Sequence, residues 1–598
     1  MKTRILIPLV ILACLVPASA KKNKLALELQ NQTAGNAVNM IVQYNAPPTA
    51  ADRTSVTKHG GKTNGMLSLV NVMQVSLPAN QADSLSDDAS VKFISPDRPL
   101  YSTSQSKSTS ASTSASTSAS TSNASPTAVL DYHTDTVNAP VAWAQGLDGT
   151  GVGVAVIDSG IIDTLPDFYT PNARVVFSQN FTNNTINAND RYGHGIHVAG
   201  IIGGNGYKSA GSNNSYTFKG IAPNVNLIDL RVLDQNGVGT DSQVIAAIQT
   251  AIQLKSKYNI RVINLSLGRP VFESYTVDPL CQAVEAAYQA GIVVVVAAGN
   301  NGRDNSSGTN GYATITAPAN DPYVVTVGAM KSIGTPTRAD DLIATYSSKG
   351  PTPIDHIVKP DLVAPGNRII SLYKERLVLS GMFPGNEIPR SLYVTKGDST
   401  PSDAYYVLSG TSMAAPVVSG AAALLLQKDP SLTPDQVKAR LMKTASKTFP
   451  PYSSYTDPAT GVTYTSQYDL FTVGAGYLDI QAALTSTDVS TGIAKSPTVA
   501  YDPATQSVYF VNDSFTVWGG SSPDWSSFTV WGGNVFVSSN FTVWGGSNPW
   551  GSFTVWGGSA PWGDTTNNGF FTVWGGSTVS ATNVTTTESV NVLINGEN

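Results

Sequence analysis

Three short stretches rich in small residues each carry one side chain able to do acid–base or nucleophilic chemistry. Asp158 ends the apolar run Val154-Ala155-Val156-Ile157 and is followed by Ser159-Gly160. Open parallel sheets collect function at the carboxyl ends of their strands, so this carboxylate is a candidate; a turn or helix-capping role is the plain alternative. His194 stands in Gly193-His194-Gly195-Ile196-His197-Val198-Ala199-Gly200, where the small residues let backbone approach closely. His194 and His197, three apart, would share a helix face, which raises a metal pair. The H-E-x-x-H pattern is absent, however, and His59, His133 and His356 lack ligand spacing. His194 therefore reads as a general base and His197 as a packed histidine. Ser412 lies in Gly410-Thr411-Ser412-Met413-Ala414-Ala415-Pro416, ahead of a small apolar run to Gln427 that predicts a buried helix. At such a helix start, free N–H groups favour developing negative charge, although an N-cap is a serine's ordinary role there.

Holding three such groups together takes a scaffold, and the chain from about Val129 to Leu484 has the pattern for one. Apolar β-branched runs at 152–157, 226–232, 262–267, 292–298 and 323–327 alternate with helical stretches at 242–258 and 279–290. Buried strands separated by helices predict an α/β class, a mostly parallel sheet with helices on both faces. Upstream, residues 37–44 and 91–94 read as strands, 66–77 as a further apolar stretch and 79–87 as a helix, a small α+β unit. Ser102 to Ser122 is almost all Ser, Thr and Ala. It cannot bury a core, which predicts a solvated, protease-sensitive linker.

Asp158, His194 and Ser412 stand in the chain order of one of the serine-protease triads. Around them the sequence resembles the subtilases, the subtilisin-like serine proteases. Val156 to Gly160 resembles the family's aspartate motif. His194 to Gly200 resembles its histidine motif, with Ile196 where threonine is usual, and Gly410 to Pro416 matches its serine motif. Val262 to Gly268, Ala297 to Asn300 and Lys359 to Gly366 also match. The resemblance implies a catalytic triad of Asp158, His194 and Ser412. It further implies an oxyanion hole from Asn300 with Thr411 in support, and a substrate-binding edge at Ser266, Leu267 and Gly268. Asp167 stands where a structural calcium ligand is often found, although the loop after Gly200 does not match; a turn residue is the other reading. No cofactor is implied for catalysis. Residues 373–408 look inserted, next to the cleft. Rival nucleophiles are weaker: Gly397-Asp398-Ser399 is followed by Thr400-Pro401, and no G-x-S-x-G elbow occurs.

Composition bounds the partners. The 598 residues carry 36 Lys+Arg against 41 Asp+Glu, a net charge of −5, with no basic excess for nucleic acid. Lys2 and Arg4, an apolar run from Ile5 to Val16 and Ala18-Ser19-Ala20 read as a secretory signal. A lipoprotein signal at Cys14 and a helical anchor are the alternatives. Removal of Cys14 leaves Cys281 alone, so no intrachain disulfide is expected. By resemblance, the ordered expectation is a signal at 1–20, an inhibitory ferredoxin-like pro-region at 21–101 and a linker at 102–126. A catalytic domain at 127–487 and a tail at 488–598 follow. Self-cleavage is expected near Leu100-Tyr101. The tail repeats Phe-Thr-Val-Trp-Gly-Gly from Phe515, Phe528, Phe541, Phe553 and Phe571, and holds every tryptophan except Trp143. Its alternation predicts β-structure. It is read as a surface- or polymer-binding module, a removable secretion or anchoring segment, or a stacked extension without ligand. The functional expectation is a secreted, self-processed endopeptidase acting on proteins or peptides, held in check by its own pro-region. A non-catalytic adhesion protein on the same scaffold is the alternative.

Overall fold

The computed structural model describes residues 24–102, 130–182, 187–306, 308–458, 460–490, 492–502, 507–511, 529–530, 542–543 and 586–597. The expected signal, nearly all of the Ser/Thr linker and most of the repeats lie outside the described residues.

The upstream unit is built from β1 (Ala37–Tyr44), β2 (Lys62–Leu67), β3 (Val72–Pro78) and β4 (Val91–Pro96), with helices Ala50–Lys58 and Ala82–Ser86. Its sheet runs β2-β3-β1-β4, with every pairing antiparallel. The single apolar stretch at 66–77 divides into the end of β2 and the start of β3. Asn71, at φ +55°, turns the chain between them, a conformation asparagine tolerates better than most residues. Thr49 and Asp52 form a reciprocal capping box at the start of the first helix. The chain then leaves as β5 (Pro99–Ser102).

The larger unit holds β6 (Gly153–Asp158), β7 (Val175–Asn180), β8 (Asn226–Arg231), β9 (Val238–Thr240), β10 (Ile260–Leu265), β11 (Leu267–Gly268), β12 (Val293–Ala297), β13 (Val325–Lys331), β14 (Leu342–Ile343) and β15 (Leu362–Pro365). The main sheet runs β14-β13-β12-β10-β6-β8-β7, with β15 also on β13. All its pairings are parallel except β13 with β14. Alternation decides the two faces. Val154 and Val156 of β6 join one core, Ala155 and Ile157 the other. The first face packs on helices Gly195–Gly203 and Thr411–Lys428, the second on Asp241–Tyr258 and Pro279–Gln289. The helix at 411–428 is buried from Thr411 to Leu426, as a run apolar on all sides requires.

Residues after 487 do not leave the catalytic unit. Val358 N donates to Pro497 O, Val499 N to His356 O, and Ser496 Oγ to Asp361 Oδ1 at 2.5 Å. Val592, Leu593 and Ile594, beyond the repeats, are buried in the main core. The inserted stretch forms β17 (Glu387–Pro389) and β18 (Pro401–Leu408), which join β16 (Ile369–Leu372) in a small antiparallel sheet. Leu379 N in the same stretch donates to Tyr192 O, so the insertion borders the histidine loop.

Candidate active site

Strand β6 lies between β8 and β10 in the main sheet, and Asp158 is its last residue. Its Oδ1 lies 2.8 Å from His194 Nδ1, and both side chains are wholly buried. Ser159 N donates to the same oxygen at 2.7 Å. A carboxylate on Nδ1 places that nitrogen's hydrogen towards Asp158 and leaves Nε2 as the basic atom. His194 Nε2 is buried and has no hydrogen-bond partner among the described residues.

Asp190 fixes the histidine from below. Its Oδ1 accepts from Ser159 Oγ, Tyr192 N and Gly193 N, each at 2.9 Å, and its Oδ2 from Ile196 N at 3.0 Å. Ser159 Oγ in turn accepts from Gly195 N. Burial pushes the Asp190 carboxyl up, against these donors. Sequence reading passed over this residue. Its signal was an aspartate four positions before the histidine, in a segment dense with glycine that must be tied down. Ile196 lends only its backbone to this cradle; its side chain is buried. His197 turns away: its Nε2 lies 3.2 Å from Ile369 O and 3.1 Å from Tyr406 O. Burial lowers its pKa to about 3, as for a neutral packed histidine.

Ser412 begins its helix one residue after Thr411, with Ser412 Oγ donating to Ser266 O at 3.2 Å and Ser266 Oγ to Ser412 O at 2.8 Å. Ser412 is thus tied to the segment leading into β11. Asn300 is held by its oxygen: Thr411 N and Thr411 Oγ1 donate to Oδ1 at 2.9 and 3.0 Å. This turns Nδ2 towards Gly410, where an added Cβ would come within 2.9 Å of it. Thr411 also accepts from Gly299 N through its hydroxyl. Its donors are spent on Asn300, which makes Thr411 a positioning residue.

Strand β11 is no free edge. Strand β5 pairs antiparallel with it, Gly268 opposite Tyr101 and Leu267 opposite Ser102, and with β9 on its other side. Leu100 is buried with the second core. Ser102 continues the pairing one step beyond Tyr101, on the side of Ser266.

Asp167 does not offer a calcium donor set as placed. Its Oδ2 accepts from Lys208 N and its Oδ1 from Tyr405 hydroxyl. The Arg174 guanidinium donates to the carbonyls of Asp167 and Gly203, where a cation would draw oxygens. Burial raises the Asp167 pKa to about 6. No group of three or more His, Cys, Asp or Glu side chains is poised for a metal among the described residues.

A family model described as the subtilase family matches residues 149–476. The chain belongs to the subtilase family. It is 37% identical over 332 residues to serine protease AprX of Bacillus subtilis, covering 54% of this chain and 68% of that protein. To subtilisin DY of Bacillus licheniformis it is 33% identical, over 59% of this chain and 97% of the other. Among solved structures, fervidolysin from Fervidobacterium pennivorans, a keratinolytic enzyme related to subtilisin, shares the fold at a TM-score of 0.53 and 22% identity. That match spans 78% of this chain and 63% of fervidolysin. The family makes this subtilase a serine endopeptidase acting on protein or peptide substrates.

Proposed function

We propose that the protein is a secreted, self-processed zymogen that cuts peptide bonds through Asp158, His194 and Ser412. Ser412 Oγ attacks the scissile carbonyl carbon as His194 Nε2 takes its proton. Asp158 keeps the imidazole oriented and stabilises its charged form. Asn300 Nδ2 and the Ser412 N–H donate to the carbonyl oxygen as it gains charge. His194 then protonates the leaving amine as the C–N bond breaks, leaving an acyl-enzyme. A water deprotonated by His194 attacks the ester, and the Ser412 oxygen leaves with that proton. In this reading the Ser412 hydroxyl swings from Ser266 O towards His194 before attack.

One observation carries the reading. Strand β5 of the chain's own upstream unit lies backbone to backbone between β9 and β11, as a bound peptide would, and runs towards Ser412. Arg98, just before it, forms a bidentate pair with Glu273 at 2.7 and 2.9 Å. In this reading the scissile bond lies beyond Ser102, since Ser102 still pairs with Leu267. Membership of a family of endopeptidases favours this reading over a non-catalytic scaffold.

The test is labelling with a fluorophosphonate, together with mass mapping of the secreted species. Wild type is expected to label at Ser412 and to release an upstream fragment ending beyond Ser102. The Ser412→Ala protein should neither label nor process. Processing of that variant to the same ends would refute self-cleavage, and an unlabelled wild type would refute the triad.

A further inference from the structure

The segment 586–597, beyond the repeats, lies against the two loops that carry Ser412 and Asn300. Its helix Thr586–Asn595 leads to Gly596 and Glu597. Ser409 N, three residues before Ser412, donates to Leu593 O at 2.8 Å. Asn367 clasps Glu597 by both backbone groups: Glu597 N donates to Asn367 Oδ1 at 2.8 Å, and Asn367 Nδ2 to Glu597 O at 2.7 Å. Next to Asn367, Gly366 O accepts from Gly410 N at 2.7 Å. The serine loop is thus tied to this segment on two sides.

The Glu597 carboxylate reaches the other loop. It is almost wholly buried and its Oε1 accepts from Arg303 Nη2 at 2.9 Å, from Thr345 N at 2.8 Å and from the Thr345 hydroxyl. Lys331 Nζ is 3.6 Å from Oε2. Arg303 lies three residues after Asn300, and Gly302 N donates to Tyr346 O beside Thr345. A buried carboxylate met by an arginine, a lysine and two further donors has the features of a built site. Burying such a charge is favourable only with partners of this kind. The rings of Tyr455 and Tyr464 lie over Arg303, 5.4 and 4.7 Å from their centroids, and shield the pair from water.

We propose that segment 586–597 is a latch in cis for the catalytic unit. Glu597 is a positioning residue that acts through Asn367 on the Ser412 loop and through Arg303 and Thr345 on the Asn300 loop. The groove between these loops is then a binding site for a peptide carrying this buried glutamate. The inference rests on the proposed roles of Ser412 and Asn300 for its effect on turnover, but the docking itself does not.

The experiment uses the full chain, a Glu597→Gln variant, a Glu597→Ala variant and a chain stopped after residue 585. Hydrolysis of a short peptide is measured well below the melting temperature, with circular dichroism as the check on folding. Glu597→Ala and the shortened chain should lose at least tenfold in kcat with KM within about twofold, and Glu597→Gln should be intermediate. A synthetic peptide of residues 586–598, added to the shortened chain, should raise its melting temperature and restore kcat. The same peptide with alanine for Glu597 should do neither. Unchanged kcat in folded variants, or a fall in melting temperature alone, would overturn the positioning role. Failure of the peptide to shift the melting temperature of the folded shortened chain would overturn the docking site. An inactive wild type would instead count against the triad, and the melting-temperature arm would still decide the latch.

Discussion

Replacing Asn300 by alanine removes one donor to the developing oxyanion. The expected loss is about 10²–10³ in kcat with little change in KM, a magnitude whose reference case is itself a subtilisin. Thr411→Val removes only the hydroxyl that helps hold Asn300 Oδ1 and should cost less, because the Thr411 N–H remains. His197 gives a test by pH. Its unfolded imidazole binds a proton near 6.5, its buried form only near 3. Between those values the unfolded state holds more protons, so stability falls as pH drops through 6.5, by about 1.4 kcal/mol per unit. In urea unfolding of the Ser412→Ala protein, adding His197→Gln should remove this contribution, so the stability difference between the two proteins should change with pH by that slope below 6.5. At this scale the triad residues were legible because each sits in a short motif of small residues. Asp190 was not, because its role lies in accepting four hydrogen bonds that exist only once the loop has closed around it.

At the scale of elements, the interface between the upstream unit and the catalytic unit is polar where β5 begins. Arg98 bridges Glu28 and Glu273, with its own side chain nearly buried. Asp97 accepts from Ser242 N and Ser242 Oγ at the start of helix Asp241–Tyr258, a favourable place for a carboxylate. Arg98→Ala leaves Glu273 buried without this partner, so the separated upstream unit should inhibit the mature enzyme about a hundredfold more weakly. That follows from roughly 3 kcal/mol for breaking a buried pair, and inhibition constants for the two forms would measure it. An unchanged constant would show that Arg98 contributes nothing to the interface. The strands of the main sheet were readable as β-branched runs, because strands buried on both faces are apolar throughout. The shape of the upstream unit was less so, since 66–77 reads as one run until Asn71 turns it. Tyr101 looked like the processing end because it is large and aromatic. On the proposed reading backbone register rather than side-chain size selects the end, since Ser102 continues the pairing with β11 beyond Tyr101.

At the scale of the whole molecule, the proposed latch separates residues 586–597 from the repeats before them. An internal deletion of residues 512–585 that keeps 586–598 removes the repeats and spares the latch. Peptide hydrolysis by that protein should stay within about twofold of wild type, whereas stopping the chain after residue 585 should not allow this. Loss of activity in the internal deletion would give the repeats a part in catalysis. The net charge of −5 hides where the charges lie: no Lys or Arg follows Lys495, and the buried Glu597 carboxylate meets cations supplied by Arg303 and Lys331.

The sequence by itself determined the class of fold and the order Asp158, His194, Ser412, while Asn300 was singled out by the family resemblance. Local pattern suffices there, because hydrophobic period sets the element and each catalytic group is embedded in its own short motif. Only the tertiary structure decided the Asp190 cradle, the register of β5, the arginine beside Asp167 and the docking of Glu597. Each of these depends on groups far apart in the chain whose charges and backbone donors are satisfied only by one another. Sequence order carries no record of that distance, and burial is what makes the pairing obligatory.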